Sequence, residues 1–404
     1  MNAKRLLVAL IFGLFVATSA FAQKSVSGEN FRTLLDMMQV IESESYYQPT
    51  AEEMQAFYSC MLARAFARFE FKKDKLKRDV SLPSCFPKDK YARYLPPQAV
   101  VEEKKQMEGG FVGIGAEVDS VKEGVLIKEL MPGGPAEKSG LFKENDIITA
   151  VGESADTMTS LADMPLPDAV GRTVGPAGSV VHLEIIRDGH KLPVITIARG
   201  EVKLQEVEVR DLGGIMYLKL FEFMKTNLVA EDLRQPFLEF SRKGTRALII
   251  DLRGNPGGQL GTAMDFLSGF VPESGMIMFE TRDRSGAADE PIISTGRGPF
   301  AGWTIVVLVD EKSASASEVS AGNLQYWGHT VVGTKTFGKG SMQTGFPLTG
   351  DGVLFLTTRH YFLGNGTSPD GVGIMPNVEV ADNLATPEDE VLEKAKEIIL
   401  QKKQ

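Results

Sequence analysis

The sequence predicts a multidomain α/β protein, and three changes of pattern along the chain carry that prediction. Between Glu201 and about Ala385, apolar runs alternate with helical segments, as in a sheet covered by helices. From Gly109 to Gly200, short strands are strung between glycine-rich turns. From residue 23 to about 105, apolar residues recur at helical spacing. A chain of 404 residues, 43% of them apolar, is long enough for two or three cores. The predicted divisions are 1–22, 23–105, 106–200, 201–385 and 386–404.

The first division reads as a secretory signal. Lys4-Arg5 precedes an apolar stretch from Leu6 to Val16, and Ala20-Phe21-Ala22 supplies small residues for cleavage after Ala22. The alternative is an uncleaved anchor, for which the apolar stretch is short against a span of ~20 residues. The expected location is periplasmic or otherwise extracytoplasmic, with membrane association as the variant. Cleavage removes two positive charges from a net charge of −9, and so acidic a chain argues against nucleic acid as a partner. Cys60 and Cys85 are the only cysteines. In an exported chain they are candidates for a disulfide, the alternative being two buried thiols.

In the helical region, Phe31, Leu34, Leu35, Met38 and Ile41 predict one apolar face. Thr50 with Glu53 predicts a capping box at the start of a second helix. The basic run Lys72 to Arg78 reads as a solvated surface. In the next division, Gly124 to Ile127, Asp146 to Val151 and Val180 to Arg187 are strands, with a short helix inside Gly133 to Leu141. In the last large division, Ala247-Leu248-Ile249-Ile250-Asp251 reads as a strand buried on both faces. It leads into Leu252-Arg253-Gly254-Asn255-Pro256-Gly257-Gly258 and then a helix. Thr386 and Pro387 predict the start of a final helix whose stripe is Val391, Leu392, Ala395, Ile398 and Ile399.

The chemistry is concentrated between Trp303 and Gln343. A buried strand, Ile305 to Val309, runs into Ser313-Ala314-Ser315-Ala316-Ser317-Glu318 and a helix. A lysine between glycines, Lys339, follows 24 residues after the middle serine. A serine at a strand-to-helix turn is a weak nucleophile until a base takes its proton. The helix N-terminus offers N–H groups for a developing oxyanion. Lysine has an ordinary pKa of about 10.4, so it serves as a base only where burial and the lack of a carboxylate partner lower that value. No acid lies between Lys335 and Thr349. His182, His190, His329 and His360 are the competing candidates for a base, His360 foremost. The segment from Gly333 to Gly340 nearly matches a phosphate loop, but Gly340 stands where a magnesium-binding hydroxyl belongs. No grouping has metal-ligand spacing, so neither metal nor cofactor is expected.

These motifs resemble the carboxyl-terminal processing, or tail-specific, serine peptidases, which contain a PDZ domain. The likeness rests on Ser313 to Glu318, on Thr336 to Gly340 with Gln343, and on Asp251-Leu252-Arg253 followed by the glycine pair. It runs from about residue 30 to the end. It implies an α/β core of the crotonase-like/ClpP-like kind, with Ser315 as nucleophile, Lys339 as general base and Gln343 orienting the lysine. It also implies an oxyanion hole from the Ala316 N–H and the N–H of one glycine of the pair, Gly257 or, as the alternative, Gly258. The serine-to-lysine spacing is one residue shorter than the family's, with the gap near Gly328-His329. The strand order of residues 106–200 resembles a circularly permuted PDZ domain. Its carboxylate-binding loop would be Phe111, Val112, Gly113, Ile114 and Gly115. The family often places an arginine directly before the glycine at Gly175. Here that position is Val174, and the nearest arginine in sequence is Arg172.

The resemblance implies protein substrates with accessible C-termini, and it allows for an adaptor protein or a homo-oligomer. A function of another class shares these features: a PDZ-bearing scaffold with a latent or vestigial core. Retention of Ser315, Lys339, Gln343 and the glycine pair together speaks for the enzyme.

Overall fold

The computed structural model describes residues 28–57, 59–60, 80–81, 85–86, 88–107, 110–131, 133–203, 207–224, 227–383, 386 and 388–402. The predicted signal, the basic run at 72–78 and Pro387 lie outside the described residues.

The chain forms two compact units. The first comprises Met1–Val101, Glu280–Pro291 and Ser341–Phe362, so two excursions from the C-terminal half join the N-terminal region. Its first helix is Gly28–Glu44. Met37 and Ile41, one turn apart, are buried with Met54, Phe57, Phe86, Leu354 and Leu356. Leu35, expected on that face, is instead exposed. A second helix begins at residue 51, and its capping box forms: the Thr50 N–H donates to Glu53 Oε2 (2.7 Å), and the Glu53 N–H donates to Thr50 Oγ1 (3.2 Å). Cys60 is joined to Cys85. Closing a 25-residue separation contributes roughly 3 kcal/mol on the chain-entropy account.

Strands also contribute to this nominally helical region. Arg93–Leu95 pairs with Val353–Leu363, which pairs on its other side with Ser341–Pro347. All of these pairings are antiparallel.

The second unit comprises Glu102–Phe279, Ile292–Gly340 and Leu363–Gln404. Its N-terminal part holds an antiparallel sheet in the order Ile195–Ala198, Val180–Arg187, Ile147–Gly152, Gly124–Leu130 and Ala116–Val121. Alternate residues of Val180–Arg187 turn inward, and Val181, Leu183 and Ile185 are fully buried. Two helices flank the sheet, Pro135–Ser139 and Leu166–Thr173.

The rest of this unit is built on a six-stranded sheet. Its order is Val207–Asp211, Met216–Leu220, Ala247–Asp251, Thr304–Val309, Thr330–Gly333 and Val378–Glu379. The first pair is antiparallel and the others are parallel. Ala247–Asp251 is buried at every position, as its unbroken apolar run predicts. The C-terminal helix is Glu390–Lys402, and it packs Val391, Ala395 and Ile399 against this sheet. It starts later than Thr386. The Thr386 hydroxyl donates to Asn383 O (2.8 Å) and Glu390 Oε1 (2.6 Å), so it closes a turn and does not cap the helix.

Candidate active site

Two loops leave the C-terminal ends of neighbouring parallel strands, and they meet at the serine motif. The strand Thr304–Val309 delivers the segment Ser313 to Ser315, after which the helix Ala316–Tyr326 begins. Ser315 is the N-cap, with φ 55° and ψ −115°. Among the described residues, every other non-glycine at positive φ is Asn or Asp, types that tolerate that region. A serine held there is strained backbone of the kind that marks a nucleophile turn.

The three serines separate by environment. Ser313 and Ser317 are fully buried. The Ser313 hydroxyl donates to Leu252 O (2.8 Å), and the Ser317 hydroxyl donates to Asn255 O (2.9 Å). These two act as rivets to the neighbouring loop. Ser315 alone of the three is partly exposed.

That neighbouring loop, Leu252 to Gly258, is fixed at its root by charge. Asp251, fully buried, receives the Arg253 guanidinium (Nη2 to Oδ2, 2.6 Å). The other edge of the same guanidinium makes two 2.8 Å bonds to Asp389, just ahead of the C-terminal helix. Burial alone would lower the pKa of Arg253; the two carboxylates hold it above its ordinary value.

Of the glycine pair, Gly257 is the one against the nucleophile turn. A Cβ there would lie 2.7 Å from Ala314 O, 2.8 Å from Ser315 Cβ and 3.0 Å from the Ala316 nitrogen. Gly258 is required for another reason, because its Cβ would lie 2.3 Å from Phe223 O. The Gly257 N–H donates to the buried Asn255 Oδ1 (2.9 Å) and so is not free in this conformation. Ala316 opens the helix, so its N–H has no carbonyl a turn back within that helix.

Lys339 is half-buried. The turn that carries it is held by a residue whose role the sequence did not reveal. Glu318, fully buried on the nucleophile helix, accepts from Thr336 Oγ1 (2.6 Å) and from the N–H groups of Gly338 (2.6 Å), Lys339 (2.7 Å) and Ser315 (2.9 Å). One carboxylate thus ties the backbone of the serine to the backbone of the lysine. Burial raises its pKa, against the donors that favour the ionised form. Along the chain Lys339 has no acidic neighbour, yet the fold brings this one to its main chain. Gly340 completes the turn, its N–H donating to Asp370 Oδ1 (3.1 Å). A strand follows at Ser341–Pro347, where a phosphate loop would need a helix.

Gln343 lies on that strand, in the first unit. Its Nε2 donates to Ser341 Oγ and to Thr357 Oγ1, both at 3.1 Å. The histidines have structural surroundings. Burial lowers the pKa of His329 to about 4, which leaves it neutral at pH 7. His360 stacks on Tyr46 with ring centroids 4.1 Å apart. His182 and His190 lie on strands of the antiparallel sheet.

The sequence-predicted carboxylate loop borders a cavity of about 40 Å³. Gly113, Ile114 and Gly115 line one side, and Val170, Thr173 and Val174 of the Leu166–Thr173 helix and its C-cap line another. Phe111 and Val112 belong to the strand Gly110–Gly113, which pairs with Gly200–Lys203. At Gly175 the arginine in reach is not Arg172 but Arg199. Its Nε would lie 2.9 Å from a Cβ at Gly175. The buried Arg199 donates to Thr173 O (2.9 Å) and Arg172 O (3.3 Å), so it caps the helix that walls the cavity.

Comparison with known proteins agrees with this architecture. The family model described as Peptidase family S41 matches residues 214–380, and a PDZ domain model matches residues 100–186. The carboxy-terminal-processing protease of Bartonella bacilliformis is 33% identical over 305 residues, which are 73% of this chain and 67% of that protein. The carboxy-terminal processing protease CtpB of Bacillus subtilis is 32% identical over 298 residues, 72% of this chain and 60% of that protein's length. Among solved structures, a photosystem II D1 C-terminal processing protease superposes with a TM-score of 0.55 at 23% identity, covering 93% of this chain and 98% of the other.

Proposed function

The chain belongs to peptidase family S41, with the carboxy-terminal processing proteases as its relatives, and from that premise we propose that it is an exported serine endopeptidase using Ser315 and Lys339. Ser315 Oγ attacks the scissile carbonyl carbon as the neutral Lys339 amine takes its proton. The tetrahedral oxyanion is held by the Ala316 N–H, and by the Gly257 N–H once Asn255 releases it. Collapse of this intermediate breaks the C–N bond, and the ammonium returns the proton to the departing amine. Water then hydrolyses the acyl-enzyme by the same steps in reverse order.

The observation that carries this reading is the contrast among the three serines. Ser315 is strained and accessible, whereas the other two spend their hydroxyls on the glycine loop. A second reading, a latent core, has one observation in its favour: Asn255 occupies the Gly257 N–H. Export is supported by the signal-like N-terminus. No helix among the described residues is long and apolar enough to cross a membrane.

The PDZ-like domain is proposed to take a substrate's C-terminal carboxylate at the Phe111 to Gly115 loop, with an adaptor or a second copy as further partners. The test uses an unstructured protein such as casein beside one ending in a peptide amide. The amide is expected to raise KM about tenfold with little change in kcat, because it removes one charge-assisted contact. Equal KM values for acid and amide would overturn tail recognition. No cleavage of either protein by the wild-type chain would favour the latent reading.

A further inference from the structure

Gln343 stands at the end of a hydrogen-bonded relay that begins in the N-terminal region. The relay lies wholly inside the first unit. Gln343 faces Thr357 across the antiparallel pair, at a register shift directly after Met342, where the irregularity re-aims a side chain. Thr357 Oγ1 donates to Asp89 Oδ1 (2.9 Å), and the Thr357 N–H donates to Asp89 Oδ2 (2.8 Å). The Tyr91 N–H also donates to Asp89 Oδ1 (3.1 Å). Asp89 is fully buried, and these three donors converge on its two oxygens.

A carboxylate can only accept. The Thr357 O–H must therefore point at Asp89, and what the hydroxyl has left for its other neighbour is a lone pair. That neighbour has to present an N–H. Gln343 does so with Nε2, and the same nitrogen also serves Ser341 Oγ. Both amide protons are consumed by two hydroxyls, which leaves Oε1 as the end of the amide open to another donor.

We propose that Asp89 is a positioning residue for catalysis: by fixing the direction of the Thr357 hydroxyl, it fixes which end of the Gln343 amide is left to orient the lysine base. This rests on the reading of Lys339 as base and Gln343 as its orienter. The distinction matters chemically. An amide oxygen accepts one N–H of the amine and leaves the nitrogen lone pair for the serine proton. An amide nitrogen would donate into that lone pair and compete with the serine for it. Asp89 lies 268 residues from Thr357 in the chain, four residues after Cys85, which is bonded to Cys60. A substitution at Asp89 thus reaches the Gln343 amide through two hydrogen bonds.

The experiment measures kcat and KM on casein for the mature chain and for Asp89→Asn, Thr357→Val, Thr357→Ser, Gln343→Ala and the double variant Asp89→Asn/Gln343→Ala. Asp89→Asn keeps the volume but offers an N–H where the hydroxyl needs an acceptor. It is expected to lower kcat roughly tenfold to a hundredfold, with KM within about twofold. Thr357→Val should match it, and Thr357→Ser, which retains the hydroxyl, should stay within about threefold of wild type. In the Gln343→Ala background, Asp89→Asn should cost nothing further, since the group it orients is gone. A multiplicative loss in the double variant would mean a merely structural role and would overturn the proposal. So would an unchanged kcat in Asp89→Asn beside a lowered kcat in Gln343→Ala. Full activity in Gln343→Ala would instead overturn the reading of Gln343 itself, and the proposal with it.

Discussion

Ser315→Ala is expected to lower kcat on casein by roughly four to six orders of magnitude, while Ser313→Ala and Ser317→Ala keep turning over. The prediction follows from what each hydroxyl does. Removing Ser313 Oγ takes one of two donors from Leu252 O, which also accepts from the Asn255 N–H (3.1 Å), and leaves the Asp310 N–H without an acceptor it meets at 3.0 Å. Removing Ser317 Oγ takes one of two donors from Asn255 O, which also accepts from the Ala314 N–H (3.1 Å). Each loss costs about 1–2 kcal/mol of stability, and the attacking atom is untouched. Ser315 is instead the N-cap of its own helix, in a capping box with Glu318, and its hydroxyl rivets no neighbouring loop. Thermal melts beside casein hydrolysis separate the two behaviours. Lost activity in Ser313→Ala with unchanged melting would move the nucleophile.

Glu318→Ala is expected to be the next most damaging change. It strips the acceptor from four donors, on Ser315, Thr336, Gly338 and Lys339. At about 1–3 kcal/mol for each buried donor left unpaired, with entering water recovering part, the net loss of stability should be about 3 kcal/mol or more. The nucleophile turn and the lysine turn then lose their common anchor. A shift of about 1 Å between reacting groups costs on the order of a hundredfold in rate, so kcat should fall at least that far. Glu318→Gln is the sharper probe. It retains the shape and one accepting oxygen but sets an NH₂ group against donors, so kcat should fall with little change in KM. Glu318→Gln with wild-type kcat would show that the carboxylate is dispensable to both turns.

Much of this was legible in the sequence wherever the determinant is local. The unbroken run Ala247 to Asp251 could only be a strand buried on both faces, and it is. Thr50 and Glu53 stand three apart and form their box. The small-residue segment at 313–318 reads as a turn into a helix because only small side chains fit where two loops touch. What stayed hidden is what the fold brings together from afar. Glu318 is no neighbour of Lys339 along the chain and reaches the lysine turn from a helix begun 23 residues earlier. The arginine nearest Gly175 in sequence is Arg172, whereas the side chain packed there belongs to Arg199, on a later segment. Two adjacent glycines look alike in sequence. Their different duties, one against Ser315 and one against Phe223, depend on which backbone passes within 3 Å. The last helix starts at Glu390 and not at Thr386, because threonine followed by acids suits a turn as well as a cap.

The central claim, that an amine at position 339 is the base for Ser315, is open to a direct chemical test. Lys339→Cys introduces the chain's only free thiol, since the two native cysteines are bonded to each other. Casein hydrolysis is measured before and after alkylation with bromoethylamine, which rebuilds a lysine-like amine on the sulfur. The account predicts negligible activity before alkylation and recovery of a substantial fraction after it, with Lys339→Arg inactive throughout because a guanidinium stays charged. Undiminished hydrolysis by Lys339→Cys before alkylation, or by Lys339→Arg, would contradict it and assign the base elsewhere.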